Sequence, residues 1–201
     1  KQLTDDREPN GGSSRLPGIS GDGQTIVFLS NSSFLGMNPD HIPTLWSIRP
    51  DGSNLRRLIG SSEPISLVLP VSLSDDGTKA VFSSPSNLTG SNSLRIEQIF
   101  AINIDGTGLR QLTNGTSMSI YPALSGNGQS LVFTTYATLQ AGKNADHDAE
   151  VCLLGYDGTG LRYLTDRADA QSMAGSITDD AQTIFFNSNL VSGAGNSDRN
   201  Y

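Results

Sequence analysis

Apolar residues in this chain come in short bursts separated by polar turns. Four segments share one layout: "ISGDGQTIVFLS" (Ile19 to Ser30), "LSDDGTKAVFSS" (Leu73 to Ser84), "LSGNGQSLVFTT" (Leu124 to Thr135) and "ITDDAQTIFFNS" (Ile177 to Ser188). Their starts are spaced by 54, 51 and 53 residues. In each, a short strand meets a tight turn suited to a glycine at positive φ, and a run of β-branched and aromatic residues such as Ile26, Val27 and Phe28 follows. About 13 residues of polar loop come next, then a third burst, "TLWSI", "QIFAI" or "EVCLL". An Asp-Gly turn then leads into a last short strand in "PDGSNLRRLI" (Pro50 to Ile59), "IDGTGLRQLT" (Ile104 to Thr113) and "YDGTGLRYLT" (Tyr156 to Thr165). Each unit predicts a four-stranded antiparallel meander. No window of 11 or more residues holds an apolar period of 3.6, and Gly, Ser and Asn interrupt every candidate, so no helix longer than a turn is predicted.

A sheet of this size with apolar residues on both faces cannot cover itself, but equal sheets packed face to face around an axis cover one another. The expected fold is therefore all-β, a β-propeller with four-stranded antiparallel blades of about 52 residues, three complete blades and one partial blade. The repeats fall at approximately 5–59, 60–113, 114–165 and 166–201 of a single 1–201 unit, with 1–4 ("KQLT") the outer strand of a preceding or closing blade. Three arrangements fit: a closed ring of four blades with one defective, two chains joining into about eight blades, or a piece of a longer ring. Exposed blade faces and unpaired edges favour the last, with another copy or another fragment completing the propeller.

The core "S-x-D-G-x-x-(I/V)-x-F" followed by "D-G-(S/T)-x-L-R-x-L-T" resembles the PD40 (WD40-like) repeat of TolB-type β-propellers over essentially the whole chain. That resemblance implies a binding module of an exported bacterial protein, periplasmic or extracellular, whose partner is a protein, peptide or glycan. Similar propellers also accompany peptidase domains or act as sugar lyases, which is the enzymatic alternative. The loop "SNLVSGAGNSDRN" (Ser188 to Asn200) is similar to loops of secreted proteins built of such repeats. Departures are visible. The proline at Pro17 and Pro122 slips by one position at Pro70 and is missing from the last copy, where Ala181 also replaces the turn glycine and suggests a different turn. The additional α/β domain of TolB has no counterpart in the sequence, so TolB's partners do not transfer.

Composition narrows the partners. A net charge of -7 and a pI near 4.6 argue against nucleic acid, which needs a concentrated positive surface. No apolar run approaches the roughly 18 residues of a membrane helix, so no membrane insertion is expected. The first residues lack a signal pattern, so an exported form would already have lost its leader. Cys152 is the only cysteine, which excludes an intrachain disulfide and a thiolate zinc cluster.

Antiparallel alternation puts the first-to-second and third-to-fourth strand turns on one face of the ring. The long second-to-third loops and the connectors between blades share the other. Long loops on a rigid scaffold are the candidate binding face. Within them Leu35, Leu88, Leu139 and Leu190 recur in phase, as do Asn38, Asn92, Asn144 and Asn196. Such recurrence reads as architecture: a leucine plugging the blade edge and an asparagine bonding its own turn. Residues that differ between copies are the binding candidates: Phe34, His41, Arg95, Tyr136, His147 and Arg199.

Candidate chemistry is sparse, and neither a catalytic residue, a metal nor a cofactor is assigned. "NADHDAE" (Asn144 to Glu150) spaces its oxygens like the start of an EF-hand, but Ala149 stands where glycine is needed and Gly155 where a bidentate glutamate is needed. His41 and His147 each follow an aspartate, yet adjacent residues rarely face one another, and they read as turn histidines. No "G-x-S-x-G" elbow is present. "GTGLRQ" and "GTGLRY" lead into strands and cannot form a dinucleotide site. Arg56, Arg110 and Arg162 could read carboxylates, but their recurrence on outer strands suggests a ladder along the blade rims, solvated and structural.

Overall fold

The computed structural model describes residues 2–4, 12–60, 62–67, 69–168 and 170–189. Sheets follow one another along the chain. The first contains β1 (Ser14–Ile19), β2 (Ile26–Ser30), β3 (Thr44–Ile48) and β4 (Arg56–Arg57). The second contains β5 (Ser72–Leu73), β6 (Lys79–Ser84), β7 (Gln98–Asn103) and β8 (Arg110–Gln111). The third contains β9 (Ser119–Leu124), β10 (Ser130–Thr135), β11 (Glu150–Gly155) and β12 (Arg162–Tyr163), and β13 (Ser172–Ile177) pairs with β14 (Ile184–Ser188). In every sheet the spatial order is the chain order and all pairings are antiparallel. The one helical element among the described residues is a 3-10 turn, Phe34–Gly36. The protein is thus all-β, with three four-stranded blades and one two-stranded blade among the described residues.

The turn within each first hairpin explains the "S-x-D-G" signature. The Ser20 hydroxyl donates to the Asp22 carboxylate and accepts the Thr25 N–H at 3.0 Å, while Asp22 accepts the Gln24 N–H at 2.9 Å. The same pattern repeats around Asp76, Asn127 and Asp180. These donors, the hydroxyl first, hold the carboxyls of Asp22, Asp76 and Asp180 below the usual range. The next residue must be left-handed, and Gly23, Gly77 and Gly128 have φ of 67, 63 and 66°. The expectation that Ala181 changes the last turn is wrong: Ala181 has φ 60° and donates its N–H to the Thr178 carbonyl at 2.9 Å, as Gly23 does to Ser20. The hydroxyl and carboxylate fix the turn, and alanine tolerates the strain, about 1 kcal/mol.

Packing between sheets uses both faces of each strand. Val27, Leu29, Leu45, Leu58 and Ile59 of the first blade meet Ala80, Phe82, Phe100 and Ile102 of the second. The alternate residues of that second blade, Val81, Ile99 and Ala101, face Leu131, Phe133, Cys152 and Leu154 of the third. This is why the strands read as nearly continuous apolar runs. Full burial of side chains such as Phe82 and Phe133, each contributing about 2–3 kcal/mol, exists only while the neighbouring sheet is present. On the outer face of the first blade, Leu3 packs against Phe28, Trp46 and Ile48. By repeat phase Leu3 matches Leu58 and Leu112, which cover the second and third blades.

Two sets of polar contacts bind blade to blade. Near the axis, the N–H groups of Asp22, Asp75 and Asn127 donate to the carbonyls of Asp75, Gly126 and Asp179 at 2.9, 2.8 and 3.2 Å. At Gly126 a Cβ would meet the carboxylates of Asp75 and Asp179 and force them aside. Burial, and then the charge of Asp179, push the Asp75 carboxyl above its ordinary value. Farther out, Arg56 donates to the Asp105 carbonyl at 2.8 Å and Arg110 to the Tyr156 carbonyl. The expected rim ladder is structural for these two: Arg56, exposed, and Arg110, half-buried, each fasten a blade to the turn of the next.

The last hairpin exposes what the others hide. Phe185 and Phe186 are 60% and 45% exposed, whereas Val132 and Phe133, at the same repeat positions, are fully buried. Replacing Ala181 with glycine keeps the turn and removes its strain. We expect Ala181→Gly to raise the melting temperature by about 2–4 °C in a thermal melt, corresponding to about 1 kcal/mol.

Candidate functional site

The loop face is built from the segments 31–43, 85–97 and 136–149, each connecting the second and third strands of a blade. A buried asparagine organises each one. The Asn38 amide donates to the carbonyls of Ser32 and Ile42 at 3.2 and 3.0 Å. Asn92 donates to those of Pro85 and Ile96 at 3.0 and 2.8 Å, and Asn144 to that of Asp148 at 3.0 Å. Only a side chain with a fork of donors closes such a loop on its own carbonyls, which accounts for the in-phase asparagines. Asn196 lies outside the described residues. From the outer strand, Arg57 donates to the Met37 carbonyl at 2.9 Å and the Tyr163 hydroxyl to that of Ala137 at 2.6 Å, pinning the loops from the rim. Burial pushes the Tyr163 hydroxyl up to about 12.

Three residues beyond each asparagine stands a candidate: His41, Arg95 and His147, with left-handed φ of 52, 53 and 59°. His41 Nδ1–H donates to the Asn31 carbonyl and His147 Nδ1–H to the Tyr136 carbonyl, both at 3.2 Å. A carbonyl only accepts, so the proton must sit on Nδ1, and Nε2 is the atom available to a ligand. Each histidine closes its own loop, and no hydrogen bond joins the two among the described residues. Arg95 pairs with Glu63, which also accepts the Asn87 N–H at 3.1 Å; the pair ties the connector between two blades to the second loop and lowers the Glu63 carboxyl. Tyr136 is half-buried, and its backbone N–H donates to the Met118 carbonyl at 2.9 Å.

Two expectations for this face are corrected. Phe34 packs edge to face on Phe28 and Trp46, with ring centroids 6.1 and 5.1 Å apart, so its ring belongs to the first blade's core. Leu35, expected to plug the blade edge, is 81% exposed at a left-handed φ of 54°, because the 3-10 turn carries Phe34 inward and turns its neighbour out. Leu88 and Leu139 do pack against the blades. Leu190 and Arg199 lie outside the described residues.

Sequence reasoning missed the exposed apolar side chains of this face. Leu35, Met37, Leu94 and Met118 all sit on its loops and connectors, the same face that carries Arg95 and the two histidines. It also missed a cleft of about 490 Å³ on the opposite, short-turn face, between the first and second blades, lined by Ile48, Arg49, Arg56, Asn103 and Ile104 among others. No helix is long and apolar enough to cross a membrane. Among the described residues, no three His, Cys, Asp or Glu side chains are grouped to hold a metal ion. Asn144, first in the EF-hand-like run, is 2% exposed with its amide donating inside its own loop. Burial pushes the Cys152 thiol well above its ordinary value.

The architecture defines a β-propeller, and solved structures carry the same fold. A TolB protein from Agrobacterium tumefaciens matches 77% of this chain and 50% of its own, with a TM-score of 0.52 and 24% identity. Oligogalacturonate lyase from Vibrio parahaemolyticus matches 87% of this chain and 45% of its own, with a TM-score of 0.56 and 13% identity. A prolyl endopeptidase matches 87% and 26%, with a TM-score of 0.58 and 11% identity. The chain thus has the fold of TolB-type β-propellers and spans half or less of the length of these proteins. No protein-family model and no curated protein sequence matches it.

Glu150 gives this region a dependence on pH. It is 1% exposed; Oε1 accepts the Arg167 N–H at 2.9 Å, and burial, outweighing this bond and one from the Thr165 side chain, raises its carboxyl above the usual range. A carboxyl raised in the folded state holds its proton there more tightly than in the unfolded chain. Stability is therefore lost as pH climbs from the ordinary carboxyl range through the folded value. At the matching position the second blade has Gln98, whose amide donates to the Gly115 carbonyl and accepts the Thr113 hydroxyl at 3.1 and 2.7 Å. Glu150→Gln is expected to raise the melting temperature near neutral pH by about 2–4 °C and to leave it unchanged at about pH 4, checked by melts across that range.

Proposed function

We propose that this protein is a non-catalytic binding and interaction propeller of an exported bacterial protein, periplasmic or extracellular, with its ligand seated on the loop face. The carrying observation is the set of apolar side chains presented there, Leu35, Met37, Leu94 and Met118, on loops held by buried asparagines and strand-borne contacts. Exposed apolar groups on a rigid frame, on the face that carries Arg95, His41, Tyr136 and His147, suit a protein, peptide or glycan, because little conformational freedom is lost when they are covered. Arg199 joins this set on sequence grounds alone. The resemblance of the repeats to TolB-type propellers supports the bacterial and exported character.

A second contact belongs to the same reading. Phe185 and Phe186 leave the last hairpin open, and another copy or another fragment completing the propeller would cover them. The chain is read as one arc, approximately four repeats long, of a larger ring.

The test is a peptide and glycan array probed with the wild-type protein, with Leu35→Ser/Leu94→Ser/Met118→Ser, and with the short-turn variant Ser53→Ala as a control. Binding that falls at least about tenfold in the loop variant and persists in the control supports this reading. Turnover of pectic oligosaccharides or peptides by the wild-type protein, unaffected by the loop substitutions, overturns it.

A further inference from the structure

The junctions between blades are repeats of one another, so a filled junction shows what an open one can hold. Between the second and third blades, Tyr156 is the filling. It is 6% exposed, with the Arg110 guanidinium 4.4 Å and the Lys79 ammonium 4.9 Å from its ring centroid. Its hydroxyl donates to Asn103 Oδ1 at 3.2 Å. An aromatic ring is thus held by two cations and met at its polar end by a hydrogen-bonding side chain.

One junction earlier the same frame is empty. Repeat phase puts Ile104 in the place of Tyr156, Thr25 in that of Lys79, Arg56 in that of Arg110 and Arg49 in that of Asn103, and all four line the cleft of about 490 Å³. Ile104 is too short to fill the volume that a tyrosine takes next door, and it packs instead against the apolar core below. Arg56 is held across the cleft by its 2.8 Å bond to the Asp105 carbonyl, as Arg110 is held to Tyr156. Arg49 makes no side-chain hydrogen bond or ion pair among the described residues, in a protein of net charge -7. The Asp105 carboxylate on the rim already accepts the Thr107 N–H and hydroxyl at 2.8 and 2.6 Å, which keeps it engaged in its own turn.

We infer that the cleft between the first and second blades is a binding site for a planar aromatic acid. The ring takes the place that Tyr156 occupies in the next junction, Arg56 lies against its face, and its carboxylate is met by Arg49 where Asn103 meets the tyrosine hydroxyl. The exchange of Asn103 for Arg49 sets the charge of the ligand, since a guanidinium pairs with a carboxylate through two parallel N–H bonds and a neutral amide does not. The volume is ample: about 150 Å³ already holds benzene. This site faces away from the loops and stands independently of the loop-face reading.

Calorimetric titration with para-hydroxybenzoate tests it, with para-hydroxybenzyl alcohol and acetate as the ring-only and charge-only probes. Saturable one-site binding is expected, at least about tenfold weaker for either control probe and for Arg49→Gln. Ile104→Tyr fills the cleft from within, so binding is expected to vanish while the melting temperature holds or rises. Should that variant not fold, Arg49→Gln/Arg56→Gln, both on exposed side chains, decides the matter by loss of binding with an unchanged melt. Absence of saturable binding at millimolar para-hydroxybenzoate overturns the inference, as does binding that survives Ile104→Tyr or is indifferent to both arginines.

Discussion

Every sheet in this protein has two apolar faces and can cover neither alone. Val81 and Phe82 are neighbours in one strand and point to opposite sides, one to the third blade and one to the first. Burial of each depends on a sheet that begins about 50 residues away in the chain. From this constraint follow the radial stacking, the backbone bonds from Asp22 to Asp75 to Gly126 near the axis, and the arginines reaching over the rim. It also explains the contrast between Phe133, fully buried against the second blade, and Phe186, which no further sheet covers among the described residues.

Repetition made most of the fold legible in advance. Strand order, the two turn types and the loop asparagines were readable because each is fixed within its own unit, by contacts a few residues apart such as Ser20 with Asp22 or Asn92 with Ile96. The turn at Ala181 was misjudged because a missing glycine looks decisive in sequence, while the hydroxyl and carboxylate that hold the turn were still there. The candidate site was less legible. Phe34 and Leu35 are adjacent and both apolar, and only the 3-10 turn decides which goes in. The roles of Arg56 and Arg110 depend on partners 49 and 46 residues away in a neighbouring blade, and that of Glu63 on Arg95, 32 residues along the chain, which a repeat comparison aligned within blades does not see.

Where repeats are nearly identical, departures from them carry the information. The loop face keeps its asparagines and varies what surrounds them, as a scaffold does when different side chains must be presented from one frame. The junctions do the same: one is closed by Tyr156 between Arg110 and Lys79, and the other is left open with Arg49 and Ile104. In both places the conserved part of the repeat holds geometry and the variable part sets chemistry.

Mutual covering of successive sheets is most directly tested by amide hydrogen exchange, strand by strand, in solution dilute enough to keep the protein monomeric. Radial stacking predicts strongest protection in β6, β7, β10 and β11, which have a sheet on either side, clearly weaker protection in β2 and β3, and the weakest in β13 and β14. Equal protection of β2, β3, β6 and β7, with the last hairpin as slow to exchange as the third blade, would mean that each sheet is stable by itself and would contradict the dependence on neighbours.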